Sequence, residues 1–319
     1  MLTVVNDYFR ELTERFAQAW NRFWFTPSDA LTLSVMRILA GLIALYTIAT
    51  YTPDLELLFG ADGLLAADSV RGLRGDYYGF SYLNVLDTPS RLWAGHLAGL
   101  AVLALFTLGL FTRVTSILSL VVVLSYFHRS YVVTSEMEPV LTFVLFYLCL
   151  APAGAYLSLD RMLARRKTRS GEASPLPSPS WPTTVATRLI QIHLTIVYLM
   201  MLLAQLNENT WWDGTAMWWL AGRRDSALTD LTWMYAHPWL VNLWTHSFVL
   251  FEGAFIVLAW NRWAAPLMVS LGVLVWAPMA VVTGLVPLAV MMVVAGLAFI
   301  LPGSMRTLLG CCGLSRFVE

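Results

Sequence analysis

Ionisable and amide side chains stranded in apolar sequence are the groups best able to do chemistry in this chain. Arg37, His96, His128, Arg129, His193, His246 and Glu252 each interrupt a long apolar run or sit at its edge, and Glu136 and Glu138 stand just ahead of another. Ionisable groups inside a bilayer are costly, so each is a candidate for proton transfer, ligand contact or an internal ion pair. Gln191, Tyr198 and Gln205 recur every seven residues within one run, close to one face of a helix. That stripe must point into a bundle, because lipid would penalise it. Trp211, Trp212, Asp213 and Gly214 follow and close the run with an aromatic and glycine turn. The cysteines point elsewhere: Cys149 lies in an apolar run, Cys311 and Cys312 are adjacent, and neither a zinc spacing nor a CxxC is present.

The elements that must position these groups are apolar helices. Hydrophobic residues make up 58% of the chain and charged residues 13%, well below the roughly 25% charged of soluble domains, so the lipid bilayer is the expected solvent. A net charge of zero argues against nucleic acid as a partner. A spanning helix needs about 20 apolar residues, and runs of that kind lie near 30–51, 92–111, 114–133, 139–157, 184–206, 239–260, 264–283 and 285–301. The chain therefore reads as all-α, a polytopic membrane helix bundle of about eight transmembrane helices in one domain over 29–303. Residues 1–28 precede it. There Val5, Tyr8, Phe9, Leu12, Phe16, Trp20 and Phe23 recur every three or four residues between charges, the pattern of an amphipathic helix lying in the interface plane or packed on the protein's own inner face. No cleavable signal peptide is expected, since charges run throughout this segment. A charged, proline-rich inner linker spans about 160–182, and 304–319 is expected as a short cytoplasmic tail.

Basic residues between the spans set the orientation. With the N-terminus inside, the inner segments hold Arg10, Arg15, Arg22, Arg113, Arg161, Arg165, Arg166, Lys167, Arg169, Arg262, Arg306 and Arg316, which outnumber Arg71, Arg74, Arg91, Arg223 and Arg224 in the outer ones. Both termini are expected in the cytoplasm. His96, His128, Arg129, Gln205 and His246 then share the outer half below the Trp211–Asp213 turn. With Tyr198, Gln191, Glu138, Trp212 and Asp213 they are the candidate lining of an outward-facing cavity. Arg37 and Glu252 come at matching depth near the inner boundary and are expected to form an ion pair. Each polar group also has a purely structural role available as interhelical glue, worth about 0.6 kcal/mol on average, and the tryptophans have one as an interfacial belt.

The order of several short motifs carries a family resemblance. Arg37-Ile38 with Gly41 comes first, then Phe59-Gly60 with Asp62-Gly63-Leu64-Leu65. Gly109 with Phe111-Thr112-Arg113, Pro152-Ala153-Gly154, Ser158-Leu159-Asp160, and Arg188-Leu189-Ile190-Gln191 follow. Then come Ile196-Val197-Tyr198, Ala204-Gln205-Leu206, Trp211-Trp212-Asp213-Gly214 and Glu252. Together they resemble the HTTM proteins, relatives of the membrane domain of the vitamin K-dependent gamma-glutamyl carboxylase, over nearly the whole chain. The resemblance implies an extracytoplasmic active site in which a lysine just before the leucine of the fifth span acts on a reduced quinone. Here that position is Gln205. A lysine ammonium can lose a proton and act as a base; a glutamine amide cannot. Two family histidines fall near Met137 and Trp276, and the large extracytoplasmic region that holds a carboxylase's protein substrate is not expected after the last span.

Three functions compete. The first is a non-carboxylating HTTM-like membrane protein whose cavity takes a lipophilic small molecule, for example a quinone, or a partner protein. The alternative is a quinone-dependent redox or carboxylase-like enzyme in which groups such as His128 and Glu138 replace the lost lysine. The third is a haem-binding electron carrier, with His96 facing His128 or His246 as axial ligands. The sequence requires no cofactor and specifies no metal site.

Overall fold

The computed structural model describes residues 2–74, 79–130, 136–167, 177–222, 232–311 and 313. These are helical, with no strand among them beyond an isolated bridge between Ser28 and Ser180. The helices are α1 Leu2–Phe25, α2 Leu31–Ala49, α3 Leu55–Phe59, α4 Ala67–Arg74, α5 Pro89–Leu108, α6 Thr112–Arg129, α7 Met137–Leu150, α8 Leu159–Lys167, α9 Trp181–Leu206, α10 Asn209–Trp212, α11 Ala216–Ala221, α12 Pro238–Leu258, α13 Ala265–Thr283, α14 Val286–Gly296 and α15 Pro302–Cys311. Five of them, α2, α5, α9, α12 and α13, are long and apolar enough to cross a membrane.

The other three expected spans are shorter or more polar. Helix α6 carries Arg113, His128 and Arg129 near its ends and several Ser and Thr residues. The fourth run, expected over 139–157, stops as a helix at Leu150, because Pro152 has no N–H to donate and Gly154 lies against α6. A Cβ on Gly154 would come within 2.4 Å of Thr112 Oγ1. The eighth run ends at Gly296 and tightens into a 3-10 turn over Leu297–Phe299. Two short helices lie outside the bundle's long ones: Leu159–Lys167 at the start of the linker and Pro302–Cys311 after the last run. Residues 168–176 and 314–319 lie outside the described residues.

Local sequence explains where the helices start and stop. Proline occupies the first or second position of α5, α9, α12, α13 and α14, where its missing N–H costs nothing. Helix α5 ends in Gly109 at φ +73°, with Gly109 N–H donating to Phe106 O and Leu110 N–H to Leu105 O. That is the paired closure a left-handed glycine permits. Consecutive long helices pack as neighbours from α2 through α5, α6, α7, α9, α12 and α13 to α14, and α14 packs back on α2 and α7. The described parts of the two long connections, 50–74, 79–88, 207–222 and 232–237, lie at one end, the loop end; α1, α8 and α15 lie at the other, the base.

The base is knitted by polar contacts. Asp160 accepts from the Phe111 and Thr112 N–H groups at 2.8 Å each and from the Thr112 hydroxyl at 2.7 Å, capping α6 from outside its own sequence. Burial opposes ionisation of this carboxyl. The three donated hydrogen bonds and nearby Arg37 outweigh it and hold the group below the usual aspartate range. Arg37, fully buried, donates to Ala153 O at 3.0 Å and Leu157 O at 2.6 Å, leaving only its Nε without a partner. Nearby, Arg306 pairs with Asp29, and the Tyr156 hydroxyl donates to Asp29 at 3.2 Å.

Helix α1 leaves Tyr8, Phe9, Leu12, Phe16 and Trp20 exposed along one stripe. Its last turn is anchored, with Phe23 stacked on Trp260 and the Arg188 guanidinium 4.5 Å above the Phe23 ring. The Val5 side chain lies outside the described residues.

Candidate functional site

At the loop end, α9, α11, α12, α13 and α14 enclose a cavity of about 260 Å3. Its wall is mostly apolar, with Met201, Phe248, Met279 and Leu288 among the lining side chains. Gln205, Trp211, Trp276, Thr283 and the exposed Glu136 supply the polar groups. Position along α9 explains the polar stripe: Gln191, Tyr198 and Gln205 are all buried, and only the last, in the final turn, reaches the cavity. Tyr198 packs behind it, its ring 4.4 Å from that of Phe255, and its hydroxyl accepts from Trp276 Nε1 at 2.9 Å.

Glu252 lies one layer deeper, fully buried. Its carboxyl acts on Gln205 and Tyr198, yet neither oxygen has a hydrogen bond of ordinary geometry, and Gln205 Oε1 is likewise without one. Buried polar atoms are nearly always hydrogen-bonded. Gln205 in the cavity wall and Glu252 behind it therefore concentrate unmet hydrogen-bonding capacity. The expected ion pair does not form: Arg37 lies at the base on the Ala153 and Leu157 carbonyls, with Asp160 as its acidic neighbour. Matching depth alone did not bring the two helix faces together.

The remaining candidates disperse rather than share this cavity. His96 is fully buried between Thr52 Oγ1 at 2.9 Å and Tyr126 OH at 2.7 Å, in an aromatic cluster with Tyr82 and Phe59 against Tyr126. Arg129 clamps the first long connection, donating to Leu65 O, to Asn84 Oδ1 at 2.6 Å and to Phe59 O at 3.4 Å. His128 bonds Phe80 O at 2.8 Å. Glu138 is buried and acts on Tyr51. Gln191 bridges the Ala298 carbonyl at 2.8 Å and Arg188 at 2.9 Å. His193 stacks on Phe143 with ring centroids 4.1 Å apart. His246 bonds Asn242 O, and Asn242 in turn holds the Asp213 carbonyl; both pack against Gly214, whose φ of +71° lets the turn close. Trp212 is 64% exposed. The reason is common to most of them: each bonds a loop or neighbouring helix in its own half of the bundle, so its polar atoms are already used.

This arrangement does not suit haem. An axial histidine needs a free ring nitrogen, and both nitrogens of His96 are engaged. Among the described residues no group of three or more His, Cys, Asp or Glu is placed to hold a metal ion. Among the lining residues that sequence reasoning did not assign to a site are Met201, Phe248, Met279 and Thr283. One signal was legible: Trp276 lies deep in an apolar helix, whereas membrane tryptophans favour the interface. A second, mostly apolar groove of about 850 Å3 runs along the other face of α13 past Ala277 and Pro278, and Phe248 belongs to both walls.

Compared with known proteins, the chain matches no protein-family model, no curated protein and no solved structure.

Proposed function

We propose that this chain is a polytopic membrane protein of the HTTM type, with both termini in the cytoplasm, that binds a lipophilic molecule in the loop-end cavity and does not carboxylate glutamate. One observation carries the reading: an apolar-walled cavity of about 260 Å3 stands beside the buried, unpartnered acceptors of Gln205 and Glu252. Ligand sites are mostly apolar with a few polar groups that fix orientation, and this is the described cavity where the two occur together. An oxidised quinone offers acceptor oxygens only and leaves these acceptors unmatched, whereas the reduced form that the resemblance implies brings hydroxyl donors. The Gln205 amide does not titrate in the accessible range and cannot accept the proton that the base of a carboxylase must take.

Extraction of the full chain into native-lipid nanodiscs, followed by mass spectrometry, tests the binding. A lipophilic molecule near one per chain is expected, reduced several-fold when Ala280→Trp fills the cavity. Equal recovery from both proteins would refute it. Given reduced vitamin K, carbon dioxide, oxygen and a glutamate peptide, the protein is expected to incorporate no more carbon dioxide than a heat-killed control.

A further inference from the structure

The cavity's unmet atoms specify the head of its ligand. Gln205 Oε1 and the two Glu252 oxygens are buried and without a hydrogen bond of ordinary geometry, although the Gln205 amide faces the Glu252 carboxyl. All three are acceptors when the carboxyl is ionised, and at least two remain so when it carries a proton. Of the nearby donors, Trp276 Nε1 is already given to Tyr198, and the Gln205 amide N–H, which faces the Glu252 carboxyl, cannot serve its own Oε1. A buried acceptor left unmade is unfavourable, so a molecule that brings a donor binds more tightly than one of the same shape that does not. Charge narrows the head further. Glu136 is the one charged side chain among the described residues of the wall, with Glu252 behind it, and no described cation faces the cavity. An anionic head such as a phosphate would meet acidic neighbours and no counter-charge.

We infer that the loop-end cavity selects a non-anionic amphiphile whose apolar body carries a hydrogen-bond donor, a hydroxyl or an ammonium, directed at Gln205 and Glu252. This rests on the binding proposed above and adds the chemistry of the head. The donor meets the Gln205 amide oxygen at the wall, and the Glu252 carboxyl completes the acceptor pair. The apolar body lies against Met201, Phe248, Met279 and Leu288.

The test uses the full chain in nanodiscs and displacement of tritiated oleyl alcohol. Unlabelled oleyl alcohol and its methyl ether differ only in the donor. The alcohol is expected to compete about tenfold better or more, the factor that about 1.4 kcal/mol produces. Dioleoylphosphatidylglycerol is expected not to compete, and competition by it equal to the alcohol's would overturn the exclusion of anionic heads. In Gln205→Leu/Glu252→Leu protein the alcohol-to-ether ratio should collapse to within about twofold, because the acceptors are gone. A ratio that survives the double substitution would place the donor contact elsewhere and overturn the assignment. Oleylamine with Glu252→Gln separates the two heads: an ammonium loses at least tenfold when the carboxylate charge is removed, and a hydroxyl, which the amide oxygen still accepts, changes little. Saturable binding with equal competition by alcohol and ether leaves the lipophilic cavity standing and defeats the donor rule. No saturable binding of either defeats both.

Discussion

The base junction and the loop-end cavity treat buried polar atoms in opposite ways. At the base, Asp160 is bonded by two backbone N–H groups and a hydroxyl, and Arg37 by two carbonyls. At the cavity, Glu252 and Gln205 keep three oxygens unbonded. A satisfied buried network specifies how helices pack, whereas an unsatisfied one costs stability until something supplies donors. The contrast separates polar residues whose hydrogen bonds hold the fold together from buried polar residues whose hydrogen-bonding capacity is left open.

The largest expected effect lies at the base. Arg37→Met removes both carbonyl contacts and strips Asp160 of its positive neighbour, and breaking a buried charged contact costs about 3–5 kcal/mol. Thermal unfolding in a fixed detergent should show the protein markedly destabilised or not recoverable. Unchanged stability would break the comparison at its stronger end.

Gly109→Ala comes next. The residue sits at φ +73°, and a Cβ there would approach Arg37 Nη1 and Ser158 Cβ at 2.6 Å each. Strain and overpacking together should cost about 2 kcal/mol, read as a lower unfolding temperature with ligand binding retained.

At the cavity the sign reverses. Glu252→Leu replaces an unpartnered buried carboxyl by an apolar side chain, so stability should rise by about 1 kcal/mol or stay level, while discrimination between alcohol and ether falls. Destabilisation comparable to that of Arg37→Met would place Glu252 among the fold-holding groups.

The smallest effect sharpens the base by pH. The Asp160 carboxyl titrates below its ordinary value of about 3.9. A depressed folded-state value means its contribution is complete above the unfolded value and is lost as pH falls through the folded one. The wild type should lose stability below about pH 4, and Asp160→Asn should be less stable at neutral pH with a flatter acid limb. Parallel acid limbs in the two proteins would show that Asp160 plays no part.

Much of this was legible in one dimension. Helical class and the inward face of Gln191, Tyr198 and Gln205 follow from period and composition, since lipid forbids exposed polar backbone and penalises polar side chains wherever the chain runs. The base was half legible: Arg37, Gly109, Thr112, Gly154 and Asp160 were singled out as separate motifs, and folding gathers them at one junction. Their meeting depends on how α2, α6 and the turn after α7 pack, which no spacing encodes. The cavity was least legible. His96, His128, Arg129 and His246 share the depth of Gln205, but depth fixes one coordinate of three, and rotation about each helix axis sent them to other neighbours.

The sequence by itself determined that this is a helical chain for a membrane, that Gln205 would face inward, and that an amide stands there rather than a titratable amine. These are consequences of composition, period and residue type. Only the tertiary structure decided that Arg37 would leave Glu252 for the base, and that Glu252 would stand unbonded behind Gln205 beside a cavity. Partner choice depends on which helix faces meet, and that is set by the packing of the whole bundle.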